Sequence, residues 1–398
     1  MNVRIVIGKS FGDEGKGLAV DYFSGLAEKS GRRCLVIRHN GGAQAGHTVD
    51  LQNGRFVFHQ LSSGSFRSAD TLWADTFLPD LFKLPEEAQG FFEINRTMPE
   101  ILSFGGCPCV VIDDVLVNMA LETSRGHNRH GSCGMGIDEA VQRSKLTQFR
   151  LPLSRVKSSD CDGLYHELRR LRRDYLPLRL NALGLSLKSS GEYGELLQND
   201  NVLLNAAQGM CEGAQLVEIV PKSRASEYDE VVFEGAQGLL LDELNLDYAP
   251  HLTSSRTGLF NPLNICRELF GGAETEAVYV TRSYVTRHGA GRLPHEGRFA
   301  APLKISDPTN IPNEWQGAMR LAPHGAPDEF IAPIIGDCGA ENISRSLMIT
   351  HLNETNGKIY TVGGEPELSD WYNIYGAEKY FDRIYLSYSP LSYKTTTF

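Results

Sequence analysis

Gly12-Asp13-Glu14-Gly15-Lys16-Gly17 lies between a short apolar run at residues 3–7 and Leu18-Ala19-Val20-Asp21-Tyr22-Phe23, which reads as the opening of a helix. A strand, a glycine turn and a helix together form a common frame for phosphate. Glycines let backbone N–H groups approach the anion, and a helix N-terminus favours negative charge. Lys16 adds a point charge for phosphate oxygens. The stretch is not a Walker loop, because Gly17 and Leu18 follow the lysine and no Ser or Thr hydroxyl stands beside it to hold Mg²⁺. Two carboxylates, Asp13 and Glu14, lie inside the loop. A carboxylate aimed at phosphate repels it unless it binds a metal or moves a proton. The plain alternative is an acidic surface turn.

Composition narrows the class. The 398 residues carry a net charge of −10, with charged residues at 22% and hydrophobic ones at 41%. That balance suits a globular enzyme, and an acidic chain with no dominant basic patch argues against an extended nucleic-acid surface. The run Arg169-Arg170-Leu171-Arg172-Arg173 lacks interleaved aromatics and reads as a solvated helix face. Eight cysteines are scattered, and Cys107-Pro108-Cys109 has no second pair at zinc spacing, so free thiols in a reducing cytosol are expected. Neither a signal peptide nor a run long enough to span a membrane is read, and the expected location is cytoplasmic.

Short Val-, Ile- and Leu-rich runs predict strands at 3–7, 33–37, 109–112, 231–233, 277–280, 346–350 and 383–387. Runs of that kind suit a sheet covered on both faces. Leu164, Leu168, Leu171 and Tyr175 recur at helical spacing and predict one helix over 161–178. The proline-rich stretch at 302–334 reads as a long excursion and not as a domain boundary. The expected fold class is α/β, one large domain over 1–398 around a mostly parallel central sheet with helical and loop insertions.

A second segment, Asn40-Gly41-Gly42-Ala43-Gln44-Ala45-Gly46-His47-Thr48, follows the predicted strand at 33–37. Open α/β sheets bind ligands at the carboxyl edge of their strands. With both segments present, the chain resembles the adenylosuccinate synthetase family, which carries G-D-E-G-K-G and then G-G-x-N-A-G-H-T. The likeness continues through Phe233-Glu234-Gly235-Ala236-Gln237-Gly238, Thr253-Ser254-Ser255 and Thr286-Arg287-His288-Gly289-Ala290-Gly291. It implies a P-loop NTPase-related fold, with catalytic loops in 10–50 and 125–145 and with substrate and nucleotide elements in 233–320 and 346–394.

The resemblance implies a ligase that joins L-aspartate to C6 of a 6-oxopurine nucleotide at the expense of a nucleoside triphosphate and Mg²⁺. A base removes the N1 proton, O6 takes a phosphoryl group, and the amine displaces phosphate. By this likeness Asp13 is the base and a Mg²⁺ ligand, and His47 supports charge at O6. The carbonyl of Gly46 is a further metal ligand. Gly12, Gly15, Lys16, Gly17 and Thr48 meet phosphate, and Gln44 stands where the family has an asparagine. Gln237, Thr253, His288 and Gly289 contact the purine nucleotide. Gly131-Ser132-Cys133-Gly134-Met135-Gly136 resembles a G-T-T-G-R-G phosphate loop, in which Ser132 keeps the hydroxyl and Cys133 is a weaker donor. Arg143 matches the arginine that family dimers lend to the partner's site, and a homodimer is implied.

Departures gather after residue 300. The family's arginine-rich aspartate loop reads here as Asn313-Glu314-Trp315-Gln316-Gly317-Ala318-Met319-Arg320. Gln316, Gly317 and Arg320 are the amine-donor candidates, with Arg287 or Arg292 in support. The guanine-reading T-K-x-D element is replaced by Thr350-His351-Leu352-Asn353, and S-T-G-P by Ser387-Tyr388-Ser389-Pro390. An asparagine offers one donor and one acceptor, which fits adenine. His351, Asn353, Ser389 and Pro390 are therefore expected to meet ATP or dATP and not GTP. These features resemble a phage branch, the 2-aminoadenylosuccinate synthetases acting on dGMP, although Asp13 is retained. IMP, dGMP and a non-catalytic nucleotide-binding regulator all stay open.

Overall fold

The structure, a computed structural model, describes residues 1–126, 132, 134–299, 305, 317–339 and 341–398. Its strands, in chain order, are β1 (Asn2–Gly8), β2 (Cys34–Arg38), β3 (His47–Leu51), β4 (Gly54–Phe58), β5 (Asp70–Trp73), β6 (Ile101–Ser103), β7 (Glu218–Ile219), β8 (Glu230–Gly238), β9 (Glu274–Arg282), β10 (Val285–Arg287), β11 (Arg320–Ala322), β12 (Ser344–Thr350), β13 (Arg383–Leu386) and β14 (Thr396–Thr397). Ten of them form one sheet in the order β14-β13-β12-β9-β1-β8-β2-β5-β6-β7. Neighbours run parallel except β13 with β14.

Period-two alternation decides which face each residue supplies. Val3, Ile5 and Ile7 of β1 join Leu35, Ile37, Val231, Phe233 and Tyr279 in one apolar cluster. Val6 points the other way, to Val36, Val232, Val278 and Met348 and to Leu18, Ala19, Val20 and Phe23 of helix α1 (Lys16–Lys29). Because both faces are covered, the central strands read as continuous apolar runs in sequence. α1 begins directly after the glycine loop, so packing the helix on the sheet also fixes the loop at the carboxyl end of β1.

Two expectations are corrected. Residues 109–112 form no strand. The Cys109 and Val110 N–H groups bond to the carbonyls of Leu151 and Pro79, and Ile112 opens the helix Ile112–Ser124. The Asp114 carboxylate accepts from the Val111 N–H at 3.0 Å and caps that helix. The helix expected over 161–178 is two, Cys161–Asp174 and Leu176–Ala182. Pro177 has no N–H to continue the first helix and sits in the opening turn of the second.

Candidate active site

The strands β1, β2, β8, β9 and β12 end at one cleft of about 1150 Å³, which the loops after them line. Gly12, Asp13, Gly15, Lys16, Gly17, Gln44, Gly46, His47, Thr48, Ser132, Gln237, Thr253, His288, Gly289, His351, Asn353, Ser389 and Pro390 all face it. Segments up to 378 residues apart in the chain thus share one wall system.

The glycine loop is held by its carbonyls. Thr286 Oγ1 donates to the Gly12 carbonyl at 3.2 Å, Arg282 Nε to that of Asp13, and Thr350 Oγ1 to that of Glu14 at 2.8 Å. With three successive carbonyls turned back into the protein, the N–H groups of the first turn of α1 are left to an external anion. Gly12 (φ 95°) and Gly15 (φ 90°) take left-handed conformations, and so does Asp13 at φ 55°. Gly17 supplies space, because a Cβ there would lie 2.7 Å from the Thr48 carbonyl and 3.2 Å from His47 Cβ.

The two loop carboxylates part company. Glu14 folds inward and is buried, accepting from Ser10 N–H at 2.7 Å and Gly12 N–H at 3.3 Å. Burial pushes its carboxyl up to about 7 against the pull of Lys16, Lys9 and the two N–H groups. Lys16 is buried too, and burial lowers its ammonium despite Glu14 and Asp13 nearby. Asp13 instead lines the cleft, with its Oδ2 at 3.6 Å from His288 Nε2. Neither ring nitrogen of His288 has a hydrogen-bond partner, nor has Gln237 Oε1 or Gln44 Oε1. Buried polar atoms left unpaired on a cleft wall mark places for a polar ligand.

His47 opens β3, and its Nδ1 lies 2.6 Å from Glu234 Oε1. Glu234 sits fully buried in β8, accepts from the Ser63 N–H at 3.1 Å and from its hydroxyl, and has Arg38 Nε at 3.8 Å. Burial pushes this carboxyl up, but His47, Arg38 and Ser63 outweigh it and hold the group at about 2. An ionised Glu234 assigns the Nδ1 proton to His47 and fixes the ring plane. That leaves Nε2 for the cleft. Burial lowers the imidazole against the opposing pull of Glu234. Glu234, Arg282, Thr286 and Thr350 were not assigned roles from sequence. Glu234, Thr286 and Thr350 stand inside stretches that sequence does single out, but Arg282 does not, and Arg282, Thr286 and Thr350 act through side chains reaching a loop some 270 to 340 residues away.

Three expected site residues, Arg143, Arg320 and Gly317, lie elsewhere. Arg143 does not face the cleft. It is buried, pairs with Asp114 at 2.8 Å, and donates to the carbonyls of Phe149 and Cys109, both at 2.8 Å. In this chain its guanidinium is committed to its own fold. Arg320 is likewise spent on the carbonyls of Gly289 (2.9 Å) and Gly291 (2.8 Å) and on Glu296 (2.9 Å). Arg287 faces the cleft in its stead, between the rings of Phe11 and Tyr248, with Nε buried and unpartnered. Burial, with Arg320 nearby, lowers it to about 10. Gly317 takes φ 72° away from the cleft lining, and Gln316 and Cys133 lie outside the described residues.

No group of three or more His, Cys, Asp or Glu side chains among the described residues could hold a metal. Mg²⁺ usually takes one or two protein oxygens, with phosphate oxygens and waters completing the shell. Asp13 and the Gly46 carbonyl, both on the cleft, fit that donor set.

A strand–glycine loop–helix cradle at the carboxyl edge of a parallel sheet, beside a carboxylate-held histidine, defines an α/β protein with a frame suited to a phosphate-bearing ligand. The chain belongs to the adenylosuccinate synthetase family, whose sequence model matches residues 5–309. The adenylosuccinate synthetase of Mesoplasma florum is 26% identical over 300 residues, 74% of this chain and 65% of that protein. That of Thermoplasma acidophilum is 27% identical over 307 residues, 75% of this chain and again 65% of the relative. These alignments thus span just under two thirds of the relatives' length. The fully ligated adenylosuccinate synthetase of Plasmodium falciparum superposes with a TM-score of 0.68 at 16% identity, covering 99% of both chains. Cyanophage S-2L succinoaminodeoxyadenylate synthetase (PurZ), solved with dGMP and with dATP as an energy donor, gives 0.60 at 13% identity, covering 99% of this chain and 95% of that one. At such identities the two structures share the fold. No helix among the described residues is long and apolar enough to cross a membrane.

Proposed function

We propose that the protein is a nucleoside triphosphate-dependent C–N ligase that couples L-aspartate to C6 of a 6-oxopurine nucleoside monophosphate. The observation that carries this reading is the meeting in one cleft of Asp13, the Glu234-held His47 and a glycine loop whose carbonyls are tied back. Asp13 takes the N1 proton. O6 attacks the γ-phosphorus and the nucleoside diphosphate leaves, while His47, taking a proton at Nε2 beside the phosphate charge with Glu234 as its counter-ion, donates to the transferring group. The amine of aspartate then adds at C6, loses a proton, and inorganic phosphate departs. Mg²⁺, held by Asp13 and the Gly46 carbonyl, would neutralise phosphate charge. Lys16 and the open N–H groups of α1 hold the phosphates. Arg287, which lines the cleft, is the guanidinium this reading assigns to the amino acid's carboxylate. A cytoplasmic homodimer remains part of this reading, without an arginine lent by Arg143.

IMP is the leading purine. The second reading, dGMP with ATP or dATP, draws on the neighbour solved with dGMP and dATP and on Asn353, a cleft-lining amide whose one donor and one acceptor suit adenine. Phosphate release with ATP, Mg²⁺ and aspartate, comparing IMP, dGMP and GMP in parallel, tests both. Turnover with IMP supports adenylosuccinate synthesis, and turnover with dGMP supports the diaminopurine branch. Silence with all three moves the protein to a nucleotide-binding regulator. Asn353→Asp is expected to raise the GTP-to-ATP preference by roughly tenfold, since the carboxylate accepts both guanine N1–H and the 2-amino group. An unchanged preference would remove Asn353 as the base reader.

A further inference from the structure

The holds on the glycine loop differ in kind. Gly12 and Glu14 are each held by a threonine hydroxyl, whereas Asp13, between them, is held by a charge. Arg282 stands at the end of β9 and is 3% exposed. Its Nε donates to the Asp13 carbonyl and its Nη1 to the Tyr284 hydroxyl at 3.0 Å. Tyr284 is fully buried, with its ring centre 5.7 Å from the Arg282 guanidinium carbon. Burial pushes the phenol up, so it stays protonated, and it donates to Glu354 Oε2. Glu354 follows Asn353 in the turn after β12, where its N–H bonds to the His351 carbonyl at 3.1 Å and Thr355 Oγ1 bonds to Ser283 Oγ at 3.1 Å. Both Glu354 and Asn353 face the cleft.

An unbroken polar path therefore runs from the turn expected to meet the donor base to the backbone of the residue expected to take the N1 proton. Asp13 is the link that needs it, since a non-glycine residue at φ 55° persists only where its surroundings impose that conformation. We propose that Glu354, Tyr284 and Arg282 form a positioning chain that sets Asp13, so that the donor-nucleotide end of the cleft helps build the base. The proposal rests on the ligase reading above for the role of Asp13. None of the three residues is a catalytic group in it. Glu354 and Tyr284 orient Arg282, and Arg282 orients the loop.

The test uses Tyr284→Phe, Glu354→Gln and the double variant in the full chain. Steady-state phosphate release and hydrogen exchange of the unliganded protein are measured. Misplacing a reacting group by a fraction of an ångström costs rate more than affinity, so each single variant is expected to lose about tenfold in kcat, with KM for the purine monophosphate changed less than about twofold. Two links of one chain do not add, so the double variant is expected to be no slower than the worse single. Exchange of the peptide spanning residues 9–18 is expected to speed up in every variant, while that of residues 230–236 in β8 stays as in the wild type. Losses that multiply in the double variant overturn the proposal. So does a change in KM alone, a lower melting temperature with kcat intact, or loop exchange that does not move. Wild-type inactivity with every purine monophosphate would sink the ligase reading. Loop exchange then decides the positioning chain by itself, supporting it if faster and overturning it if unchanged.

Discussion

The two ends of the cleft, the glycine-loop end proposed for phosphate and the β10–β11 end proposed for the amine, are built on opposite terms. At the phosphate end charges are set against one another. Glu14 lies between Lys9 and Lys16, and Glu234 meets His47 with Arg38 behind it. At the amine end the arginines are spent largely on main-chain carbonyls. Arg287 and Arg320 are direct partners across the β10–β11 ladder, a like-charge pair tolerated because each guanidinium finds carbonyls. Gly291 makes that possible, because a Cβ there would lie 2.3 Å from Arg287 Nη2. The phosphate end is thus organised by short loops at strand ends. The amine end depends on a hairpin whose two strands lie more than thirty residues apart in the chain.

The sharpest way to break this comparison is to remove the counter-charge at the phosphate end. Glu234→Gln is expected to lower kcat by about 10²-fold, since the histidine loses the partner that fixes its tautomer and orientation. The melting temperature should also fall by several degrees, because Arg38 is fully buried and loses its carboxylate. His47→Gln separates the two effects: it should abolish most turnover with little change in melting temperature. Equal thermal losses in both variants would show that Glu234 serves packing and not catalysis.

The amine end is sharpened by comparing its two arginines. Arg287→Lys is expected to raise KM for aspartate about tenfold, because a lysine cannot bond two carbonyls and a carboxylate at once. Arg320→Ala should leave that KM within about twofold and act on the order of the 289–291 turn instead. The reverse ranking would return the dicarboxylate to Arg320 and mean that the cleft rearranges when it is occupied.

How much of this was legible follows the same division. The runs at 3–7, 231–233 and 277–280 announce central strands because both faces of the sheet are covered. β5 and β6, only four and three residues long, carry too little pattern to stand out. Cys109 to Val111 is as apolar as a strand, but its N–H groups find two loop carbonyls and the Asp114 carboxylate, and apolarity alone does not say which. Asp13, His47 and Gln237 are readable because glycines frame them. Arg282 and Thr350 act on a loop far away in sequence, which no local spacing records. The place of Arg143 is not legible, because nothing local separates an arginine reaching for another subunit from one paired with Asp114, 29 positions earlier.

The smallest expected effect lies outside the cleft and tests whether charge is as carefully opposed there. Asp337 ends the helix Pro327–Cys338 and accepts from the Leu259 N–H at 2.9 Å and the Tyr279 hydroxyl at 3.0 Å. Burial pushes its carboxyl up to about 6, and those two donors recover only part of the shift. A carboxyl raised on folding binds its proton more tightly in the native state. Its contribution is therefore full below the unfolded value, near 4, and is lost as pH climbs through 6. The wild type should lose a few degrees of melting temperature between pH 4 and pH 6.5 that Asp337→Asn does not lose, since the amide cannot ionise. Parallel pH curves for the two proteins would mean that Asp337 titrates like an exposed carboxylate. The contrast would then lie between cleft and exterior, and not between the two ends of the cleft.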